Sequence, residues 1–232
     1  MSKNRSTSPS LSSSETVAAI VYLLVQLLAL PSFLHWCNRQ LSGALSETEL
    51  NFVFYLINFM AMLLIFHNFL GRNGRQAAQH PMLFCEAVIL GFVAYYACTW
   101  LVNRCIGLLL PGFTNYNDAA ITAMNNSNDF LMFIGTVILV PPFEECMYRG
   151  LVFRSLYSRN RIAAYGISIV FFAAIHIAGY LGAYSPLELL MAFLQYLPAG
   201  LCLAWSYIRG GTIFAPIVIH AAINFTAIGA LR

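Results

Sequence analysis

Two adjacent carboxylates, Glu144 and Glu145, interrupt the apolar stretch Ile138-Leu139-Val140-Pro141-Pro142-Phe143-Glu144-Glu145-Cys146-Met147-Tyr148-Arg149-Gly150. Successive helical residues point about 100° apart, so the two acids cannot share one role. Glu145 and Arg149 are spaced i, i+4, in the order that favours an ion pair along a helix. That pairing keeps Glu145 ionised and structural. Glu144 then points to another face, free for chemistry. The Pro141-Pro142 pair removes backbone hydrogen bonds and predicts a kink just before the acids. At an exposed helix end this pattern is an ordinary solvated cap. Here it follows 14 uncharged residues, and a charge at a bilayer centre costs roughly 2.5–3.5 kcal/mol, which makes the pair a functional candidate.

Further along, Phe172 and His176 lie one helical turn apart, as do His220 and Asn224. Pro216 lies one turn before His220 and leaves the Thr212 carbonyl without its usual partner. A single histidine on an apolar face is commonly a satisfied core residue. Two of them, with an Asn beside the second, in segments that follow the acidic one, suggest a site. If the helices around 144 and 176 form a hairpin turning at Ser158–Arg161, residues equidistant from the turn are level, and the midpoint of 144 and 176 is 160. The arginines of that turn place it in the cytoplasm, so the expected site lies in the cytoplasmic half of the membrane. A buried carboxylate and an imidazole at one level can deprotonate a water. A second His and an Asn can donate to the oxyanion formed when water attacks a carbonyl. The chemistry implied is amide hydrolysis. There is no Gly-x-Ser-x-Gly element and no His-Glu-x-x-His zinc helix. Cys146 beside the Glu pair fits a small apolar filler better than a nucleophile.

The elements that must hold these residues are membrane helices. The 232 residues are 59% hydrophobic and 9% charged; soluble domains carry about 25% charged residues. Mean hydropathy is +0.71. A soluble enzyme and a nucleic-acid-binding module are excluded for the bulk of the chain. Seven segments are long and apolar enough to span, near 16–37, 51–70, 82–102, 129–148, 162–182, 187–208 and 212–231. The expected fold is therefore an all-α polytopic membrane protein with about seven transmembrane helices in one bundle. A disordered cytoplasmic tail is expected over 1–15, N-terminal helices with an external loop over 16–128, and the catalytic helical core over 129–232. Of the 12 basic residues, nine fall on the side of the N-terminus and three (Arg39, Arg104 and Arg232) on the other. The positive-inside rule then puts the N-terminus in the cytoplasm. The net charge is +3. Glu86, His35 and His67 are expected at span ends as interfacial groups, and Gln195 and Tyr207 as inter-helix hydrogen-bonders. The six cysteines form no CxxC or zinc spacing, although Cys37 and Cys105 fall on one membrane face.

Glu144-Glu145-x-x-x-Arg149, Phe172-x-x-x-His176 and His220-x-x-x-Asn224 resemble the three motifs of the CPBP family, which comprises the CAAX proteases and bacteriocin-processing (Abi) enzymes. The resemblance runs from about 129 to 228. It implies an intramembrane endopeptidase in the cell membrane, acting on a peptide or membrane-protein substrate among membrane lipids, with no nucleic-acid partner. Short loops and small size point to a bacterial cytoplasmic membrane. By the resemblance, Glu144 and His176 act on the water, His220 and Asn224 bind the oxyanion or complete the site, and Glu145, Arg149 and Phe172 support them. No cofactor is expected. The alternative is a zinc ion on Glu144, His176 and His220, which would leave one open position. Some family members carry a further polar residue after the second-motif His, where this chain has Ile177-Ala178-Gly179. Two competing readings are a non-catalytic immunity or scaffold protein and a proton-relay transporter. A pure binder has no need of the full motif set, and a transporter would be expected to show a repeated broken-helix pair.

Overall fold

Local sequence sets the helix boundaries in the computed structural model, which describes residues 8–229. Helix α1 (Ser13–Leu28) starts with a capping box: the Ser12 hydroxyl accepts from the Glu15 amide, and the Glu15 carboxylate accepts from the Ser12 amide. The same device opens α3 (Glu47–Gln79) with Ser46 and Glu49, and α8 (Pro186–Gly210) with Ser185 and Glu188. Asparagine side chains cap α5 (Tyr116–Ser127), α6 (Asp129–Tyr157) and α7 (Arg161–Ala178) through Asn115, Asn128 and Asn160. Pro31 and Pro81 fall in the first turns of α2 (Leu30–Gln40) and α4 (Pro81–Leu109), where their missing N–H costs nothing. Gly211, at φ +69°, ends α8 in the left-handed conformation open to glycine and turns the chain into α9 (Phe214–Gly229).

Among the described residues there is no strand. Five helices, α3, α4, α6, α7 and α8, are long and apolar enough to cross a membrane. The seven expected spans reduce to these and two incomplete ones. The first is broken into α1 and α2, which meet at 51°, because Pro31 has no N–H for the Leu27 carbonyl four residues back and its ring crowds it. Taken as one span, the pair makes a sixth. The last, α9, has 16 described residues and falls short. The tail expected over 1–15 also needs correction where it is described. Residues 8–12 are strapped across the bundle and α1 begins at Ser13. The buried Ser8 donates to the Tyr207 carbonyl at 3.2 Å, and the Tyr207 hydroxyl donates to the Pro9 carbonyl at 2.8 Å. Arg154 donates to Ser8 O and Arg72 to Ser10 O, both at 3.0 Å, and Arg72 also pairs with Glu15 at 2.6 Å. Residues 1–7 lie outside the described part.

Helix α8 packs against α4, α7 and α9, and close approach needs glycine at two points. A Cβ on Gly91 would meet the Ile219 side chain at 2.6 Å, and one on Gly200 would meet the Ile169 backbone at 3.1 Å. Cys37 and Cys105 are free thiols. Glu86 is a half-exposed partner of Arg209, as expected of an interfacial group. Gln195 links Asn115 and Asn103 by side-chain hydrogen bonds of 2.8 and 3.0 Å. Tyr207 bonds the N-terminal strap rather than a neighbouring helix.

The start of α9 is clipped to α3. Asn73, fully buried, accepts from the Ile213 amide at 2.8 Å through its side chain and from the Thr212 hydroxyl at 3.0 Å through its carbonyl. The Thr212 carbonyl, expected to be orphaned by Pro216, instead takes the Ala215 amide at 3.3 Å. Asn73→Ala leaves a buried Ile213 N–H without its acceptor, a loss of about 1–3 kcal/mol. Thermal unfolding of the purified protein in detergent should show a clear drop in Tm; an unchanged Tm would mean the clip contributes nothing.

Candidate active site

The Glu-Glu helix is not uniform. Within α6, residues Ile134–Leu139 and Cys146–Phe153 are π-helical, and Val140–Glu145 between them is α-helical. The expected proline kink takes this form: α6 stays one run of 29 residues, and the change of helix type absorbs the missing donors. π-Turns change the register at which side chains leave a helix. Both glutamates stand in the α-helical segment between two such changes.

Glu145 and Arg149 are both fully buried and pair at 3.0 Å, as the i, i+4 spacing predicts. The same carboxylate oxygen, Oε1, lies 2.9 Å from His220 Nδ1. Arg149 also donates to the carbonyls of Ala199 and Gly200 at 3.5 and 3.4 Å, and its guanidinium lies 4.4 Å from the Phe172 ring centroid. Three helices, α6, α7 and α8, thus meet on one cation, and α9 joins them through the Glu145 carboxylate. The role of Phe172 is explicit: one face of the site is its ring, which touches Arg149, His176 (4.5 Å between centroids) and Tyr148 (5.6 Å). Cys146 is fully buried, which suits a filler.

Glu144 differs from its neighbour. Its side chain keeps 18% exposure where Glu145 keeps none. Its Oε2 is buried, has no hydrogen-bond partner among the described residues, and sits 4.0 Å from His220 Nε2. His176 lies within electrostatic range of Glu144, His220 and Arg149, with no hydrogen bond joining it to Glu144. Its Nδ1 is 2.8 Å from the Phe172 carbonyl. A carbonyl only accepts, so Nδ1 carries the proton and Nε2 keeps its lone pair. The second His-Asn pair splits: His220 joins the glutamates, whereas the Asn224 amide donates to the Thr136 carbonyl of the first π-helical segment at 2.8 Å.

Residue counting puts the three side chains at one level along their helices. His176 is 15 residues into α7, about 22 Å from Arg161, and Glu144 is 13 residues, about 20 Å, from Tyr157. The Asn73 clip starts α9 six residues, about 9 Å, inside the end of α3, and His220 is six residues, another 9 Å or so, further on. The three depths agree at about 20 Å. Among the described residues no three His, Cys, Asp or Glu side chains form a group placed to hold a metal ion.

Sequence reading missed several participants. The Tyr196 ring stacks on His176 at 4.3 Å, at a residue singled out by no motif. The Ala199 and Gly200 carbonyls reach Arg149, and Gly200, where α7 and α8 come closest, was the available signal. Thr136, the partner of Asn224, was another omission.

Removing one partner of a buried ion pair costs about 3–5 kcal/mol, because the other charge is left unpaired. Arg149→Ala should therefore lower Tm sharply. Arg149→Met combined with Glu145→Gln should lower it less than Arg149→Ala alone. Melting curves of the three proteins check this, and an equal or greater loss in the double variant would contradict it.

The family model described as type II CAAX prenyl endopeptidase Rce1-like matches residues 126–226. No curated protein and no solved structure matches the chain. The match covers under half of the 232 residues but spans every residue of the cluster, from Thr136 to Asn224. With the apolar helices it supports a multi-pass membrane protein. Residues 126–226 are therefore similar to the type II CAAX prenyl endopeptidase Rce1-like family.

Proposed function

We propose that this chain is an intramembrane glutamic endopeptidase that hydrolyses a peptide bond of a membrane-associated protein or peptide. The observation that carries the reading is Glu144 Oε2, a buried carboxylate oxygen without a hydrogen-bond partner, facing His220 Nε2 at 4.0 Å. Glu145 has no exposure and its Oε1 is taken by both Arg149 and His220, whereas Glu144 keeps 18% exposure, so Glu144 is the carboxylate a water can reach.

Glu144 takes a proton from water, with His176 Nε2 accepting a hydrogen bond from that water and orienting it. The hydroxide attacks the peptide carbonyl carbon, and the carbonyl π electrons move to oxygen. The step asks His220, between two carboxylates, to present an N–H from each ring nitrogen. Nδ1–H is held by Glu145 and Nε2–H donates to the oxyanion. The second N–H of the Asn224 amide donates to the same oxygen. The oxyanion then re-forms the C=O double bond as the C–N bond breaks, and protonated Glu144 gives its proton to the leaving amine, leaving a carboxylic acid and an amine. Every proton and bond is accounted for without a metal ion. The basic balance of the loops supports a cytoplasmic N-terminus in a cell membrane. A prenylated substrate is not required by this chemistry; any chain that can present a peptide bond at the site serves.

Glu144→Gln keeps the size of the side chain and removes the base. General acid–base groups contribute roughly 10²–10⁴-fold, so cleavage should fall by at least about 100-fold while Tm stays near that of the wild type. The substrate-free form of the test compares peptides from cells making the wild type and the variant. Products that appear only with the wild type support the proposal. Identical peptide profiles, with both proteins inserted, would sink it.

A further inference from the structure

We infer that Pro141 is a positioning residue for Asn224, acting through the carbonyl of Thr136; this rests on the role proposed for Asn224 above. In the first π-helical segment of α6 each amide reaches back five residues, and the last of these bonds is Val140 N–H to the Gly135 carbonyl. The next donor in that register belongs to residue 141, and the carbonyl it would serve is Thr136. Residue 141 is proline and has no N–H. The Thr136 carbonyl is therefore released from the helix ladder, in a residue only 7% exposed. A buried carbonyl without a donor is costly, and the donor that fills it comes from another helix: Asn224 Nδ2, at 2.8 Å. The Thr136 hydroxyl is itself committed to the Met132 carbonyl at 2.7 Å, so it cannot serve.

The consequence lies in the geometry of an amide. Asn224 has two N–H bonds on one nitrogen, in one plane. Fixing the first on a rigid backbone carbonyl fixes the direction of the second. It also holds α9 against α6 one turn beyond His220, where the ring meets Glu145. The proline just before the acids thus does more than bend the helix. It presents one carbonyl as a docking point for the third motif. An alanine at 141 would restore the N–H, return Thr136 O to the ladder and leave the Asn224 amide free to rotate.

A thermodynamic cycle with a catalytic readout tests this. Tm is measured for wild type, Asn224→Ala, Pro141→Ala and the double variant, purified in the same detergent. Pro141→Ala adds a helical hydrogen bond, so it folds. Asn224→Ala should lower Tm in the wild-type background and leave it nearly unchanged in the Pro141→Ala background. In a Pro142→Ala background, whose register partner is Val137, Asn224→Ala should keep its full effect. The same Tm loss in all three backgrounds would overturn the inference. In cleavage assays Pro141→Ala should lower kcat by about tenfold or more, as small misplacements do, with KM little changed. A wild-type kcat for Pro141→Ala would likewise overturn it. An active Glu144→Gln would overturn the proposed function instead, and the Tm cycle would still decide the link between Pro141 and Asn224.

Discussion

The arrangement depends on a buried charge cluster, the Glu145 carboxylate shared between Arg149 and His220 with no exposure to solvent on either member of the ion pair. Two charges taken out of water stay charged only if their partners are excellent. Arg149 meets that demand with a carboxylate, two carbonyls of α8 and the face of Phe172. His220 meets it by placing Nδ1 on the same oxygen. The cluster draws α6, α7, α8 and α9 to one point. It also decides which glutamate remains reactive, since the acid paired inside the cluster has no exposure and its neighbour keeps 18%.

The rest of the fold brings these helices to a common depth. The Asn73 clip sets where α9 begins and so how far in His220 lies. Gly200 lets α7 approach α8 closely enough for Phe172 to cover Arg149. The N-terminal strap ties α3, α6 and α8 at the basic end through Arg72, Arg154 and Tyr207. The aromatic layer of Tyr148, Phe172, His176 and Tyr196 fills the space beside the cluster. It keeps the imidazole of His176 oriented, and the Phe172 carbonyl fixes its tautomer.

Much of the site was legible in the sequence because helical periodicity is a strong constraint. The i, i+4 spacing of Glu145 and Arg149 predicted their pairing, and the 100° step between neighbours separated the two acids. The level of Glu144 and His176 followed from counting residues about a hairpin. What escaped was set by tertiary contacts and by departures from the ideal helix. The π-helical segments have no periodic signature, so the partner of Asn224 could not be foreseen. His220 choosing Glu145 with Nδ1 depends on the start of α9, which a buried asparagine 140 residues away in the chain fixes. Seven spans were expected from hydropathy, but hydropathy does not register the break at Ala29. The ordered residues 8–12 look like a polar tail by composition; their backbone carbonyls, which composition ignores, are what hold them.

The proposed chemistry asks a carboxylate and a neutral imidazole to activate water in a low-dielectric site, with an imidazolium and an amide receiving the developing charge. A metal ion would replace both tasks, and the donor geometry does not gather three ligands for one. The most direct test is to measure metal content and specific activity together on purified protein reconstituted in lipid. The account predicts full activity with far less than one transition-metal ion per chain, unchanged by exhaustive chelation. Activity rising in proportion to bound metal, up to one ion per chain, would contradict it.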